Sequence, residues 1–316
     1  DLHSFPTRRS SDLWQISTVL STMHFIEACD IKVNLTLRVL AKRADGYHEI
    51  HSLFWRIRSP ETMKISISTE DRISVFGAEI PGENILSRVC CYLRSRYPDV
   101  PLPPLDIELF KHIPMGSGVG AGSGNAAALL RWFRRNFRRE AAPSGELARL
   151  GADVAFLASD YALALADGVG EILHGIDELL SLSAVFFFPE WSTDTGEAYR
   201  SIDRFRLLSE GKYDTINAAE ARRESLDILK RLQKHTRVGL LPNDFNLALS
   251  SKRACYDSAY DLFDSAGAVA WGLCGSGSAC FALFERASGG VQNLMESLSR
   301  KSTDTFPWLH KTMVLR

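Results

Sequence analysis

From Ile31 to Val39 apolar and polar side chains alternate without a break. Ile31, Val33, Leu35, Leu37 and Val39 share one face, and Lys32, Asn34, Thr36 and Arg38 share the other. A period of two is that of a strand with one buried face. Residues 42–47, KRADGY, interrupt it with an Asp45-Gly46 pair suited to a tight turn. Residues 49–57, EIHSLFWRI, read as the returning strand and residues 63–68, MKISIS, as another. The spacing of Ile85, Val89 and Leu93 predicts a helix over 84–97, and PDVPLPPL is a proline-rich connection. DIELFKHIP then reads as a strand that enters IPMGSGVGAGSGN, residues 113–125, from which a helix extends to about Phe137.

Further along, a helix start is expected at Ser144, followed by the short polar turn LGADV at 150–154. YALALADGVGEIL reads as strand, turn, strand, and SAVFFFP as a buried strand. Residues 194–237 are polar and mostly helical in pattern, residues 255–267 read as a helix, and VAWGLCGSGSACFALF as strand, glycine turn, strand. Strands and helices mix without a regular βαβα repeat, which favours an α+β fold over a doubly wound sheet.

Composition narrows the picture by exclusion. The 316 residues are 45% hydrophobic and 24% charged, an ordinary globular balance for one large domain or two moderate ones. Lys+Arg number 37 against 38 Asp+Glu, so nothing calls for nucleic acid or an anionic membrane as partner. The longest apolar run, LSAVFFFP, is far short of the roughly 20 residues of a membrane-spanning helix. Six cysteines (29, 90, 91, 255, 274, 280) lack CxxC spacing and a zinc-like histidine partner, which fits reduced thiols in a cytoplasmic protein. HSFPTRRSSDL, residues 3–13, resembles a translated sequencing adapter. Residues 1–22 are therefore set apart as an artefact or extension, with Met23 the expected start.

Five glycines in nine residues, Gly116 to Gly124, stand directly before an apolar helix. No lysine follows them as in a P-loop. The relaxed dinucleotide pattern fits twice, at Gly116-Gly118-Ala121 and Gly122-Gly124-Ala127. Bare backbone at a helix N-terminus can converge several N–H groups on an anion, and Ser123 adds a hydroxyl for a phosphate or metal. A flexible loop or a close packing point is the alternative. Lys32 and Asn34, taken by themselves as a pair, read as a solvated edge face. Asp153 reads as a helix cap or a base, and the 273–281 glycine turn as a plain hairpin or a functional one. Arg131, Arg134, Arg135, Arg138 and Arg139 form one helical stripe, expected to be a solvated outer face. HExxH and GxSxG are absent, so hydrolase readings have little support.

Taken in order, IKVNLTL, RADGYHEI, IPMGSGVGAGSGNAA, LGADVAF, DGVGEIL and CGSGSACF resemble the GHMP small-molecule kinases. RADGYHEI with GVGEIL is more specific, and is similar to the 4-diphosphocytidyl-2-C-methyl-D-erythritol kinases, in register from about Met23 to Phe284. The resemblance implies two domains: an N-terminal one like ribosomal protein S5 domain 2 over residues 23–175, and a ferredoxin-like one over 176–316. It implies ATP and Mg2+ as cofactors, a small cytidyl diphosphate sugar alcohol as substrate, and a monomer or homodimer. It also implies roles for residues. Lys32 and Asp153 would be catalytic. Pro114, Gly116, Gly118, Gly120, Gly122, Ser123, Gly124 and Asn125 would wrap the ATP phosphates, with Ser123 also at the metal, and Asn84 would line the adenine pocket. Asn34 would touch the erythritol, Tyr47 and His48 the cytosine, and Gly168, Gly170, Gly275 and Gly277 would lie in loops that close over the substrates.

The chain departs from this pattern at several positions. Asp30-Ile31 replace Pro-Ala before the lysine, which is expected to place an extra carboxylate near the site. Ser117 and Ala121 replace glycines, Gly124 replaces a serine, and Ala155 replaces a proline. Ala121 is the most demanding of these, since a Cβ there is expected to crowd the phosphates or forbid positive φ. Three other readings compete: a GHMP kinase for another alcohol such as homoserine or mevalonate, a non-catalytic nucleotide- or RNA-binding module, and, last, a nicotinamide dehydrogenase.

Overall fold

The computed structural model describes residues 24–209, 216–249, 252–300 and 306–315, so the reading of residues 1–22 lies outside the described residues. The first sheet contains β1 (His24–Lys42), β2 (His48–Ile67), β3 (Arg72–Phe76), β4 (Leu105–Phe110), β5 (Leu163–Asp167) and β6 (Ile172–Ile176). Its order is β3-β4-β2-β5-β6, with β1 antiparallel along β2.

The two strands expected at 49–57 and 63–68 are one. β2 runs through Pro60, which a flat ladder would not accept because proline has no N–H to donate. Ala28 pairs with Thr62 and Asp30 with Arg58, so Ser59, Pro60 and Glu61 stand opposite Cys29 alone. This bulge frees Pro60 of a ladder bond and re-aims its neighbours.

One face of this sheet is covered by α1 (Ile85–Arg96), α2 (Ala121–Asn136), α3 (Ser144–Leu147) and α4 (Val154–Ala158). Leu86, Val89 and Leu93 of α1 and Ala126 to Leu129 of α2 pack there on Met63, Ile65 and Ile107. The other face, carrying Ile31, Val33, Leu35 and Trp55, packs against the second sheet through Phe186, Phe188 and Phe281.

The second sheet has the order β11-β7-β10-β9-β8, with β7 (Leu182–Pro189), β8 (Gly239–Leu240), β9 (Ala270–Leu273), β10 (Cys280–Glu285) and β11 (Leu309–Leu315). Helix α7 (Arg253–Ser265) precedes β9 and α8 (Gly290–Arg300) precedes β11. Its four longer strands lie in the spatial order fourth, first, third, second, which is the ferredoxin-like β-α-β-β-α-β arrangement. Inserted after β7 are α5 (Thr195–Leu208), α6 (Ala218–Gln233) and a 3-10 helix (Asp244–Ala248). All eight residues of β7 are buried, because Phe186 and Phe188 face the first sheet while Val185 and Phe187 face α5 and α7. A strand buried on both faces has no polar positions to alternate, hence the unbroken apolar run. β3 and β11, both short of fully buried positions, left no such signal and were not anticipated.

Candidate active site

The polar face of β1 is not solvated. Lys32, Asn34 and Thr36 are 5%, 3% and 0% exposed: Gly275 of the 274–278 turn lies over the first two, and the Thr36 hydroxyl bonds that of Ser225. The Lys32 N–H donates to the Val119 carbonyl at 3.0 Å, tying the loop to the strand. Its ammonium donates to Asn34 Oδ1 at 2.8 Å and lies 3.4 Å from Asp153 Oδ1. Asn34 Nδ2 in turn donates to Ser52 Oγ at 2.8 Å, so the amide can present only its oxygen to the lysine. Asp153 occupies the N-cap position of α4, yet its side chain accepts no capping bond. Its carboxylate is 23% exposed and turned to Lys32 instead. A buried cation beside a partly open carboxylate is an arrangement that can hold and deprotonate a hydroxyl.

The glycine run forms the adjoining wall. α2 starts at Ala121 with Gly120 as N-cap, no side-chain cap and no acidic residue in its first turn. Its terminal N–H groups and positive dipole end are therefore left for an anion. At Gly120, with φ +70°, a Cβ would lie 2.9 Å from Asp153 Oδ2. At Gly118, with φ +82°, it would lie 2.0 Å from the Cys274 carbonyl oxygen and 2.6 Å from that of Gly277. The two glycine turns, far apart in sequence, thus pack main chain on main chain. The Ala279 N–H donates to the Ser117 carbonyl at 3.0 Å across this seam. Gly275 sits over the lysine, where a Cβ would be 3.5 Å from Lys32 Nζ. Asn243, unremarked in the sequence, holds that turn by donating to the carbonyls of Leu273 and Gly275.

The departures resolve in specific ways. Ala121 opens α2 and buries its methyl group in the apolar cluster between the sheets, beside Val119, so it neither takes positive φ nor faces the cradle. Ser117 is buried, and Ala155 packs in the core of the first helical layer. Asp30 does not add a carboxylate to the site: its Oδ2 lies 3.3 Å from Arg131, whose guanidinium also donates to the carbonyls of Ala28 and Leu157. Arg131 is accordingly drawn out of the expected solvated stripe. Arg134, Arg135 and Arg139 pair with Asp160, Glu27 and Asp99, which leaves little free positive field there. Gly124 and Asp30 meet in space, since a Cβ on Gly124 would fall 1.8 Å from the Asp30 carbonyl oxygen. Gly124 therefore serves the approach of α2 to β1. The Asn125 amide is likewise engaged behind the loop, with Glu61 and Lys111. Gly122 and Ser123 remain at the open end, exposed and half-buried.

A second group of expected residues lies across α5. His48 is buried, its Nε2 2.7 Å from Asp203 Oδ1 and its ring stacked on Tyr199 at 5.0 Å and 12°. Lys42 donates to the other Asp203 oxygen at 2.7 Å. Burial raises the Asp203 pKa, but the hydrogen bonds from Lys42 and His48 together bring it below the ordinary value. Tyr199 is pushed up to about 12, first by burial and then by the charge of Asp153. Tyr47 is 66% exposed beside them. Gly168 accepts from the Ile50 N–H at 2.7 Å, and a Cβ on Gly170 would lie 3.8 Å from the Ala152 carbonyl oxygen, so this loop reaches the GADV turn. Asn84 caps α1 by accepting from the Leu86 N–H at 2.9 Å, on the rim of an open groove against β3. Pro114 lines a separate groove with Phe76 and Phe110. Tyr199 and Asp203 lie in the segment 194–237, whose polar helical pattern carried no motif, and Asn243 lies beyond it in a stretch that carried no reading.

Comparison with known proteins follows the same lines. The family of GHMP kinases N terminal domains matches residues 84–168. The 4-diphosphocytidyl-2-C-methyl-D-erythritol kinase of Porphyromonas gingivalis is 31% identical over 264 residues, 80% of this chain and 89% of its own. That of Prosthecochloris aestuarii is 32% identical over 85% of this chain and 91% of its own. The chain belongs to the 4-diphosphocytidyl-2-C-methyl-D-erythritol kinase family of GHMP kinases. A crystal structure of a 4-(cytidine 5'-diphospho)-2C-methyl-D-erythritol kinase superposes with a TM-score of 0.71 and 25% identity, over 92% of this chain and 98% of the other. Mevalonate kinase of L. major (TM-score 0.62, 13% identity, 94% of this chain and 98% of its own) shares the fold. In this chain the Lys32–Asp153 pair lies where both glycine turns converge.

Proposed function

We infer that the protein is an ATP-dependent kinase that phosphorylates the 2-hydroxyl of 4-diphosphocytidyl-2-C-methyl-D-erythritol, a step of the non-mevalonate isoprenoid route. One observation carries the reading: a buried lysine 3.4 Å from a half-open aspartate, at the uncapped N-terminus of a glycine-led helix. Phosphoryl transfer asks for alignment and charge neutralisation more than covalent help, and this site supplies both. Main-chain N–H groups at the start of α2 bind the phosphates. Asp153 accepts the proton of the attacking hydroxyl as the new O–P bond forms and ADP leaves. Lys32 holds Asp153 and the hydroxyl together, with Asn34 fixing the ammonium. His48, oriented by Asp203 and Tyr199, and the exposed Tyr47 supply the surface for the cytosine ring.

Among the described residues no group of three His, Cys, Asp or Glu side chains is set to hold a resident metal. The donor set fits Mg2+ arriving with the nucleotide, held by phosphate oxygens and the Ser123 hydroxyl, where it would neutralise phosphate charge. Among the described residues no helix is long and apolar enough to cross a membrane.

The test is ADP release by the purified protein with the cytidyl substrate, against homoserine and mevalonate. Release with the cytidyl alcohol alone is expected. Release with another alcohol instead, or with none from folded protein, refutes the assignment. Asp153→Asn is expected to abolish turnover while ATP still binds; near-normal turnover would remove Asp153 as the base.

A further inference from the structure

Glu61 is a fully buried carboxylate with no part in the chemistry above, yet every hydrogen bond its carboxylate accepts comes from a residue flanking the glycine loop. Its exposure is 0%, and its partners Lys111 and Asn125 are 5% and 2% exposed. Oε1 accepts the N–H groups of His112 at 3.2 Å and Ile113 at 2.9 Å, the last residues before the loop. Oε2 accepts from Lys111 Nζ and from Asn125 Nδ2, each at 3.0 Å, and Asn125 follows the last glycine. Lys111 closes the triangle by donating to Asn125 Oδ1 at 3.0 Å. One carboxylate therefore bridges the chain entering the loop and the helix leaving it.

The bulge explains how it gets there. Ser59, Pro60 and Glu61 stand opposite Cys29 alone, and the Ser59 hydroxyl bonds the Cys29 carbonyl while accepting the Glu61 N–H at 3.1 Å. A charged pair out of water is held only where its geometry is satisfied by further hydrogen bonds, and here all four acceptor contacts are made. We propose that Glu61, with Lys111 and Asn125, is a positioning group that fixes the span of the phosphate-binding loop and so sets nucleotide affinity. The inference rests on the reading of residues 116–124 as the phosphate cradle. Gly118 and Val119 pin the middle of the loop, and this triangle pins its two ends.

The test measures binding of a fluorescent ATP analogue with Mg2+, the KM for the cytidyl substrate, and Tm, in wild type and two variants. Asn125→Ala keeps the Glu61–Lys111 pair and cuts only the tie to α2. The double variant Glu61→Leu with Lys111→Met removes both charges, so that neither is left buried without its partner. Misaligning one main-chain N–H that binds a charged phosphate is worth roughly tenfold or more in affinity, so at least roughly tenfold weaker nucleotide binding is expected in both variants. The KM for the alcohol and the folded state of the double variant are expected to hold. Nucleotide binding within twofold of wild type in either folded variant overturns the clamp. So does a double variant that does not fold, because the group is then needed for the fold itself. Failure of the wild type to bind nucleotide refutes the cradle reading instead, and the clamp falls with it.

Discussion

Gly118 is where the two glycine turns touch, and its replacement by alanine tests that contact against its near neighbour Gly122. At Gly118 the backbone has φ +82°, and a Cβ would be 2.0 Å from one carbonyl oxygen and 2.6 Å from another. A left-handed conformation costs a Cβ-bearing residue about 1–2 kcal/mol. Forcing an extra methyl into a packed seam costs about 1–3 kcal/mol more. The sum is roughly 2–5 kcal/mol, and at about 2–4 °C per kcal/mol a Tm loss of roughly 4–20 °C follows. Gly122 lies in the first turn of α2 with nothing within 4 Å of a Cβ. Alanine there is expected to gain about 0.5–1 kcal/mol and raise Tm slightly. The assay is thermal melting by circular dichroism, with ADP release measured below the lower Tm. Gly118→Ala should also lose at least tenfold in turnover, since Gly275 is lifted from Lys32 with the turn. A Gly118→Ala melt within 2 °C of wild type, with normal turnover, would refute the seam as the structural constraint.

Asp203→Asn should raise the KM for the cytidyl substrate about tenfold, the scale of one lost charge-assisted hydrogen bond, and leave that for ATP unchanged; equal effects on both would dissociate His48 from the cytosine. The Asp203 pKa is lowered in the fold, so its hold on His48 is complete above about pH 4 and fades as pH falls through the lowered value. A carboxyl titration of Asp203, followed by NMR in the folded protein, with a midpoint above about pH 4 would contradict this. Thiol titration should find Cys91 reactive in the folded protein, whereas Cys29 and Cys90, pushed by burial to about 12 and about 11, react only on unfolding. Rapid labelling of Cys29 in folded protein would place it at the surface.

Local periodicity carried much of the architecture. The alternation of Ile31 to Val39 and the amphipathic spacing of α1 each reflect one face meeting one core, and the apolar run of β7 two faces meeting two, which is a property of neighbouring residues. The glycine runs announced bare backbone for the same reason. What each glycine serves was not legible. Gly118 meets Cys274, Gly120 meets Asp153 and Gly124 meets Asp30, three different partners brought by three different segments. The polar face of β1 looked solvated because an alternating strand does not reveal what will be laid over it. Asp30 and Arg131 looked independent, one an extra charge near the site and the other a surface arginine, until α2 settled on β1 and paired them. Glu61 beside a proline gave no sign of lying under the glycine loop, because a bulge is set by the register of the opposite strand. By itself the sequence determined which residues can bind, cap, turn and pack. Only the tertiary structure decided which of them share a cavity, because burial and charge pairing depend on contacts between segments far apart in the chain.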